Sequence, residues 1–262
     1  MRFGRSVKVI IIITICFSLY LFFCEYFKII KTWLDSLTHF GLLSYFLTYM
    51  IIGIPIFIGT YFINKKGTIL KNLGLTHNII KPFGYAFLFS IPMLLGGLLF
   101  FELNSDLNIQ NILAGSIVIG FIEELFFRGF LFGQLFKNTN VGFIPAIFFG
   151  ALVFAMGHLY QSQDFYELIG IFSVTFMGAI LFAWLYVEWG YNLWVPIFLH
   201  ALMNLSWLLF DMDETALGGL LPNILRGLTI VFAIVVTIMY KRKHRISLVI
   251  AKDSLIKRTQ FF

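Results

Sequence analysis

Glu123, Glu124 and Arg128 stand inside an otherwise apolar run, Gly120-Phe121-Ile122-Glu123-Glu124-Leu125-Phe126-Phe127-Arg128-Gly129. A charge at the centre of a membrane helix costs roughly 2.5–3.5 kcal/mol on insertion scales. Three so close together imply a working polar site at membrane depth. Helix geometry separates their roles. Successive residues turn by about 100°, so Glu124 and Arg128, four apart, share a face about 40° wide. They are spaced for an ion pair within the helix. Glu123 lies about 140° from Arg128 and is left without a cation on its own helix. A carboxylate in that position is a candidate general base. The plainer reading, three charges that only lock helices together, is disfavoured because apolar packing would do the same at lower cost.

Further polar residues fall in later apolar runs. His158 ends Phe154-Ala155-Met156-Gly157-His158, and His200 opens His200-Ala201-Leu202-Met203-Asn204. His200 and Asn204 are four apart and share one helix face. Pro196 precedes His200 by four residues and has no N–H for the Asn192 carbonyl, which predicts a kink or a free carbonyl. His39, His77 and His244 lie beside or between the apolar runs and are read as having no chemical role. Two chemistries suit the set. In one, Glu123 and His158 deprotonate a water while His200 and Asn204 donate to the oxyanion formed on a peptide carbonyl. In the other, Glu123, His158 and His200 hold a divalent metal such as zinc, which acidifies the water. No Ser or Cys adjoins the histidines in sequence to suggest a side-chain nucleophile.

The elements that must position these groups are hydrophobic helices. The 262 residues are 60% hydrophobic and 12% charged, with a mean hydropathy of +0.90. A soluble domain carries about 25% charged residues, so the chain reads as an all-α, polytopic membrane bundle. Spans need about 20 residues, and eight candidates fall near 7–24, 42–63, 83–101, 111–136, 142–160, 166–187, 191–210 and 219–240. The basic residues orient them. With both termini cytoplasmic, Arg2, Arg5, Lys8, Lys65, Lys66, Lys71, Lys81, Lys137 and the basic residues after Tyr240 lie inside. Only Lys28, Lys31 and Arg226 lie outside, and Arg128 lies within the membrane. Glu25, Asp35, Glu102, Asp106, Asp164, Glu167, Asp211, Asp213 and Glu214 all fall outside.

We read residues 1–262 as one integral membrane domain with its motif core at about 110–210. The first apolar run has a basic start but no small-residue cleavage site after it, so it reads as a retained helix. The basic segment 241–262 reads as a cytoplasmic tail held by anionic lipid. Basic residues spread over membrane-side loops speak against a nucleic-acid partner. Cys16 and Cys24 are too few for a disulfide scaffold or a cysteine zinc site.

The ordered set of motifs resembles a known family. E-E-x-x-x-R at Glu123, Glu124 and Arg128 is followed by F-x-x-x-H at Phe154 and His158. N-L-x-x-P-x-x-x-H-x-x-x-N then runs from Asn192 to Asn204. On successive hydrophobic spans this resembles the CPBP family of CAAX-processing and bacteriocin-processing intramembrane endopeptidases, also called Abi. The resemblance covers about 110–210. It implies an eight-span all-helical fold and endopeptidase activity. It implies water activation at Glu123 and His158, positioning by Glu124 and Arg128, and an oxyanion site at His200 and Asn204. Family members are described as metalloproteases, and a glutamate-dependent mechanism without metal has also been argued for them. The expected partner is a hydrophobic peptide or membrane-protein substrate. Short loops and no organelle signal point to a bacterial plasma membrane, to peptide maturation or bacteriocin self-immunity, and away from a prenyl substrate. A transporter or proton relay is the main alternative, disfavoured by the lack of repeated halves. A non-catalytic membrane immunity protein is the other.

Overall fold

The computed structural model describes residues 2–64, 66–106 and 108–257, without the side chains of Arg2 and Phe3. Lys65, Arg258 and the end of the basic tail lie outside the described residues. The described chain is helical throughout: α1 Arg2–Cys24, α2 Phe27–Thr38, α3 Gly41–Ile52, α4 Ile54–Ile63, α5 Ile69–Leu73 and α6 Ile80–Phe100. Next comes one continuous helical stretch made of α7 Ile109–Leu113, a π segment Ala114–Val118, α8 Ile119–Glu123, a second π segment Glu124–Phe132 and α9 Gly133–Asn138. After it follow α10 Phe143–Met156, α11 Phe165–Glu188, α12 Trp194–Leu209 and α13 Leu220–Lys243.

Five of these helices are long and apolar enough to cross a membrane, and six if the bent pair α3 and α4 is one span. The expectation of eight spans differs in two places. The 111–136 stretch is helical but carries three charges. The 191–210 stretch yields only the 16-residue α12. The 43° bend between α3 and α4 falls at Gly53, next to Pro55. Proline ends the helical ladder there, and a Cβ on Gly53 would come within 2.4 Å of the Phe126 ring. Helix α2 had no counterpart in the apolar pattern. It exposes Ile29, Trp33 and Leu37 on one face and pairs Lys31 with Asp35 at 2.7 Å on the other. That amphipathic division suits a helix lying along a membrane surface.

The charged helix lies at the centre of the bundle. Phe126, Phe130, Phe132 and Phe136 are fully buried in a core shared with α1, α4, α10 and α11. A second core joins α6, α11, α12 and α13. The segments expected on the cytoplasmic side gather at one end. Asn64 donates to Gln134, the Gly142 N–H donates to the Ile256 carbonyl, and Lys241 is buried against Glu188. The tail is therefore more than a lipid-facing basic segment. The Glu188 carboxylate also accepts the Val249 and Ile250 N–H groups, at 3.0 and 2.8 Å. Its basic residues Arg242, Lys243, Arg245 and Lys252 remain exposed.

Candidate active site

Two backbone features bring the polar groups together. Gly120 in α8 faces α12 so closely that a Cβ there would sit 2.9 Å from the Ala201 backbone nitrogen. Small residues permit such approach between membrane helices, and this one places His200, next to Ala201, beside the glutamates. The second feature is the π segment that begins at Glu124. Its i→i+5 pattern is common at functional sites. Gly133 makes room for it, since a Cβ there would meet the Arg128 carbonyl at 2.5 Å.

The expected pair forms. Arg128 Nη1 lies 3.2 Å from Glu124 Oε1, and both side chains are fully buried. It is a charge contact rather than an aligned hydrogen bond, because no guanidinium nitrogen of Arg128 has a hydrogen-bond partner. The guanidinium is instead covered by aromatic faces, Phe154 at 4.4 Å and Phe182 at 5.4 Å. Such faces attract a cation through the ring quadrupole.

Glu124 has a second role that spacing along one helix did not reveal. His200 Nδ1 lies 2.8 Å from Glu124 Oε1. A carboxylate only accepts, so Nδ1 carries the proton. The other ring nitrogen, Nε2, lies 3.7 Å from Glu123 Oε2, and the ring stacks on Phe182 at 4.9 Å. His200 is thus held between the two glutamates. Glu123 Oε2 has no hydrogen-bond partner in the protein, and its side chain is 21% exposed.

His158 follows the end of α10. Its Nδ1 donates to the Phe154 carbonyl at 2.8 Å, which leaves Nε2 as an acceptor. It makes no direct hydrogen bond to Glu123, but both line one cavity, and Glu123 also faces His200. Asn204 Nδ2 donates to the Gly115 carbonyl at 3.1 Å, tying α12 to the first π segment. Pro196 does not kink α12. It falls in the first turn of Trp194–Leu209, where backbone N–H groups have no helical partner anyway. The Asn192 side chain accepts the Trp194 N–H at 3.1 Å and helps begin that turn.

Two cavities meet at these residues. One, of about 750 Å³, is lined by Tyr45, Tyr49, Glu123, His158, His200 and Asn204. The other, of about 780 Å³, also reaches His158, His200 and Asn204, and is otherwise walled by residues such as Met177, Leu181, Ile230 and Ile234. Tyr45 and Tyr49 were missed in the sequence. Their spacing of four in an apolar helix was the available signal, and their hydroxyls lie 3.5 Å apart. Among the described residues, no three His, Cys, Asp or Glu side chains are grouped to hold a metal ion. Glu123, His158 and His200 are thus not drawn together as a ligand set in this geometry, although each histidine turns Nδ1 to an oxygen and leaves Nε2 free, as a metal-ligating histidine does.

Residues 105–206, which contain Glu123, Glu124, Arg128, His158, His200 and Asn204, match the family model described as type II CAAX prenyl endopeptidase Rce1-like. These residues are similar to an Rce1-like domain. Similar relatives include a putative membrane peptidase, YdiL, of Bacillus subtilis (strain 168), 35% identical over 96 residues. That match covers 36% of this chain and 34% of the relative. A membrane-embedded CAAX protease, MroQ, of Staphylococcus aureus (strain USA300) is 37% identical over 93 residues, 34% of each chain. The match thus spans about a third of the length of these curated relatives. No solved structure matches. The matched region sits among several apolar helices, and the protein is a multi-pass membrane protein.

Proposed function

We propose that the matched region hydrolyses a peptide bond within a hydrophobic or membrane-proximal peptide, with Glu123 as general base. The observation that carries this reading is His200 held between two glutamates, one paired with Arg128 and the other without a hydrogen bond at Oε2 and lining a cavity. A water hydrogen-bonded to the Glu123 carboxylate and oriented by His158 Nε2 loses a proton to that carboxylate. The resulting hydroxide attacks the scissile carbonyl carbon. His200, carrying both ring protons at this step, donates from Nε2 to the oxyanion while Glu124 balances its charge. Asn204 has a second amide N–H for the same oxygen. The protonated Glu123 then gives its proton to the departing amine as the C–N bond breaks.

The two joined cavities support the choice of substrate. An apolar segment fits beside Met177, Leu181 and Ile230, with the scissile bond beside Glu123. Peptide maturation or bacteriocin self-immunity are the biological roles that such a substrate suits.

The test is purified protein in detergent with a panel of labelled hydrophobic peptides, including one prenylated C-terminal peptide. Cleavage abolished by Glu123→Gln and by His158→Ala is the expected result. Undiminished cleavage in either variant defeats the proposal. Chelation separates the two mechanisms: activity that survives it supports glutamate alone, whereas loss restored by zinc assigns the reaction to a metal.

A further inference from the structure

A third cavity lies away from the proposed active site, where the start of α1 meets the end of α4. It measures about 680 Å³ and is lined by Arg5, Lys8 and Lys66 together with Val9, Ile12, Phe62 and Ile63. That volume lies within the roughly 300–1,000 Å³ typical of small-ligand sites. Arg5, Lys8, Val9 and Ile12 fall at the i, i+3, i+4, i+7 spacing of one helix face. Cations therefore occupy the outer turn of this face and apolar side chains the inner turns. Lys66 brings a further cation from the loop after α4, and the Asn64 side chain is also in the lining. Among the described residues, no carboxylate pairs with Arg5, Lys8 or Lys66.

We propose that this cavity binds the headgroup of an anionic phospholipid from the surrounding bilayer. The phosphate lies among Arg5, Lys8 and Lys66, and the start of an acyl chain lies on Val9, Ile12, Phe62 and Ile63. Two observations favour a membrane lipid over a soluble anion. The cations stand at the ends of helices whose neighbouring residues Ile10, Ile11 and Tyr61 are exposed apolar or aromatic surface. The cavity also turns from charged to apolar along α1, as a phospholipid does from headgroup to tail. Basic pockets between membrane helices at this level are suited to anionic headgroups. The site is independent of the proposed hydrolysis.

The experiment uses the full chain in neutral detergent, with lipid retention read by native mass spectrometry and thermal unfolding read by tryptophan fluorescence. The probes are phosphatidylglycerol, phosphatidylcholine and inorganic phosphate. The variants are Arg5→Gln/Lys8→Gln/Lys66→Gln and, as a charge-matched control, Arg242→Gln/Lys243→Gln/Lys252→Gln in the tail. Wild type and the tail variant are expected to retain one phosphatidylglycerol and to melt at a higher temperature with it. The cavity variant should need at least about tenfold more lipid for the same retention. Equal weakening in both variants means diffuse surface charge and overturns the site. Equal retention of phosphatidylcholine, or displacement of the lipid by millimolar inorganic phosphate, also overturns it. If the triple variant does not fold, Lys66→Gln alone, a loop substitution, decides by the same retention measurement: unchanged retention counts against the proposal.

Discussion

Replacing Glu124 by Gln keeps the shape of the side chain and removes its charge. Glu124 faces two partners, Arg128 Nη1 at 3.2 Å and His200 Nδ1 at 2.8 Å. At an effective dielectric of about 20, charges 3.2 Å apart attract by about 5 kcal/mol. Leaving one member of a buried pair uncompensated costs about 3–5 kcal/mol. Arg128 is fully buried and has no hydrogen-bond acceptor to fall back on, and the two aromatic faces offset only about 1–2 kcal/mol of that. Glu124→Gln is therefore expected to lose about 2–4 kcal/mol of stability, read as reduced monodisperse yield and a lower melting temperature. The carboxamide oxygen still accepts from His200 Nδ1, so the protein that does fold should keep measurable peptidase activity. Glu124→Gln/Arg128→Met removes both charges and is expected to recover most of the lost stability, because a buried pair replaced by apolar groups is often neutral. The two effects are coupled and must be compared as a double-mutant cycle. A double variant as unstable as Glu124→Gln, or a single variant as stable as wild type, would show that Arg128 does not depend on Glu124.

Glu123→Gln should behave in the opposite way, with full folded yield and a loss of activity of about 10²–10⁴-fold, typical of a missing general base. Its nearest charged partner is 3.7 Å away, so little stability rests on it, and comparing yield with rate checks this. Gly120→Val should place side-chain atoms against the Ala201 backbone, 2.9 Å from the added Cβ. Helix content by circular dichroism should be retained while activity falls about 10²-fold, since a shift of about 1 Å at a catalytic group costs that much. Glu188→Gln should free the tail by leaving Lys241 buried without its carboxylate and weakening the hold on the Val249 and Ile250 amides. Limited proteolysis should then cut within 246–257 much faster than in wild type, and unchanged protection would refute the role of Glu188.

Much of the site was legible in the sequence because its signals are local. Polar residues in apolar runs are costly, so Glu123, Glu124, Arg128, His158, His200 and Asn204 stood out on composition alone. The Glu124–Arg128 pair followed from a spacing of four, and it forms. The amphipathic α2 was not found because its apolar residues are too few to raise mean hydropathy. The role expected of Pro196 depended on where α12 begins, and the Asn192 turn places that start just before the proline.

What the sequence alone determined is the medium and the inventory: a helical membrane chain, a carboxylate pair with one partner in its own helix, and two histidines on other spans. What only the tertiary structure decided is the pairing. Which nitrogen of which histidine meets which glutamate depends on how α12 is rotated and how closely it approaches the charged helix. Contact at Gly120 and the π turn opened at Glu124 set both, and neither belongs to a single helix's periodicity. Interaction across helices is fixed by distances of an ångström or less, and spacing along a chain carries no such information.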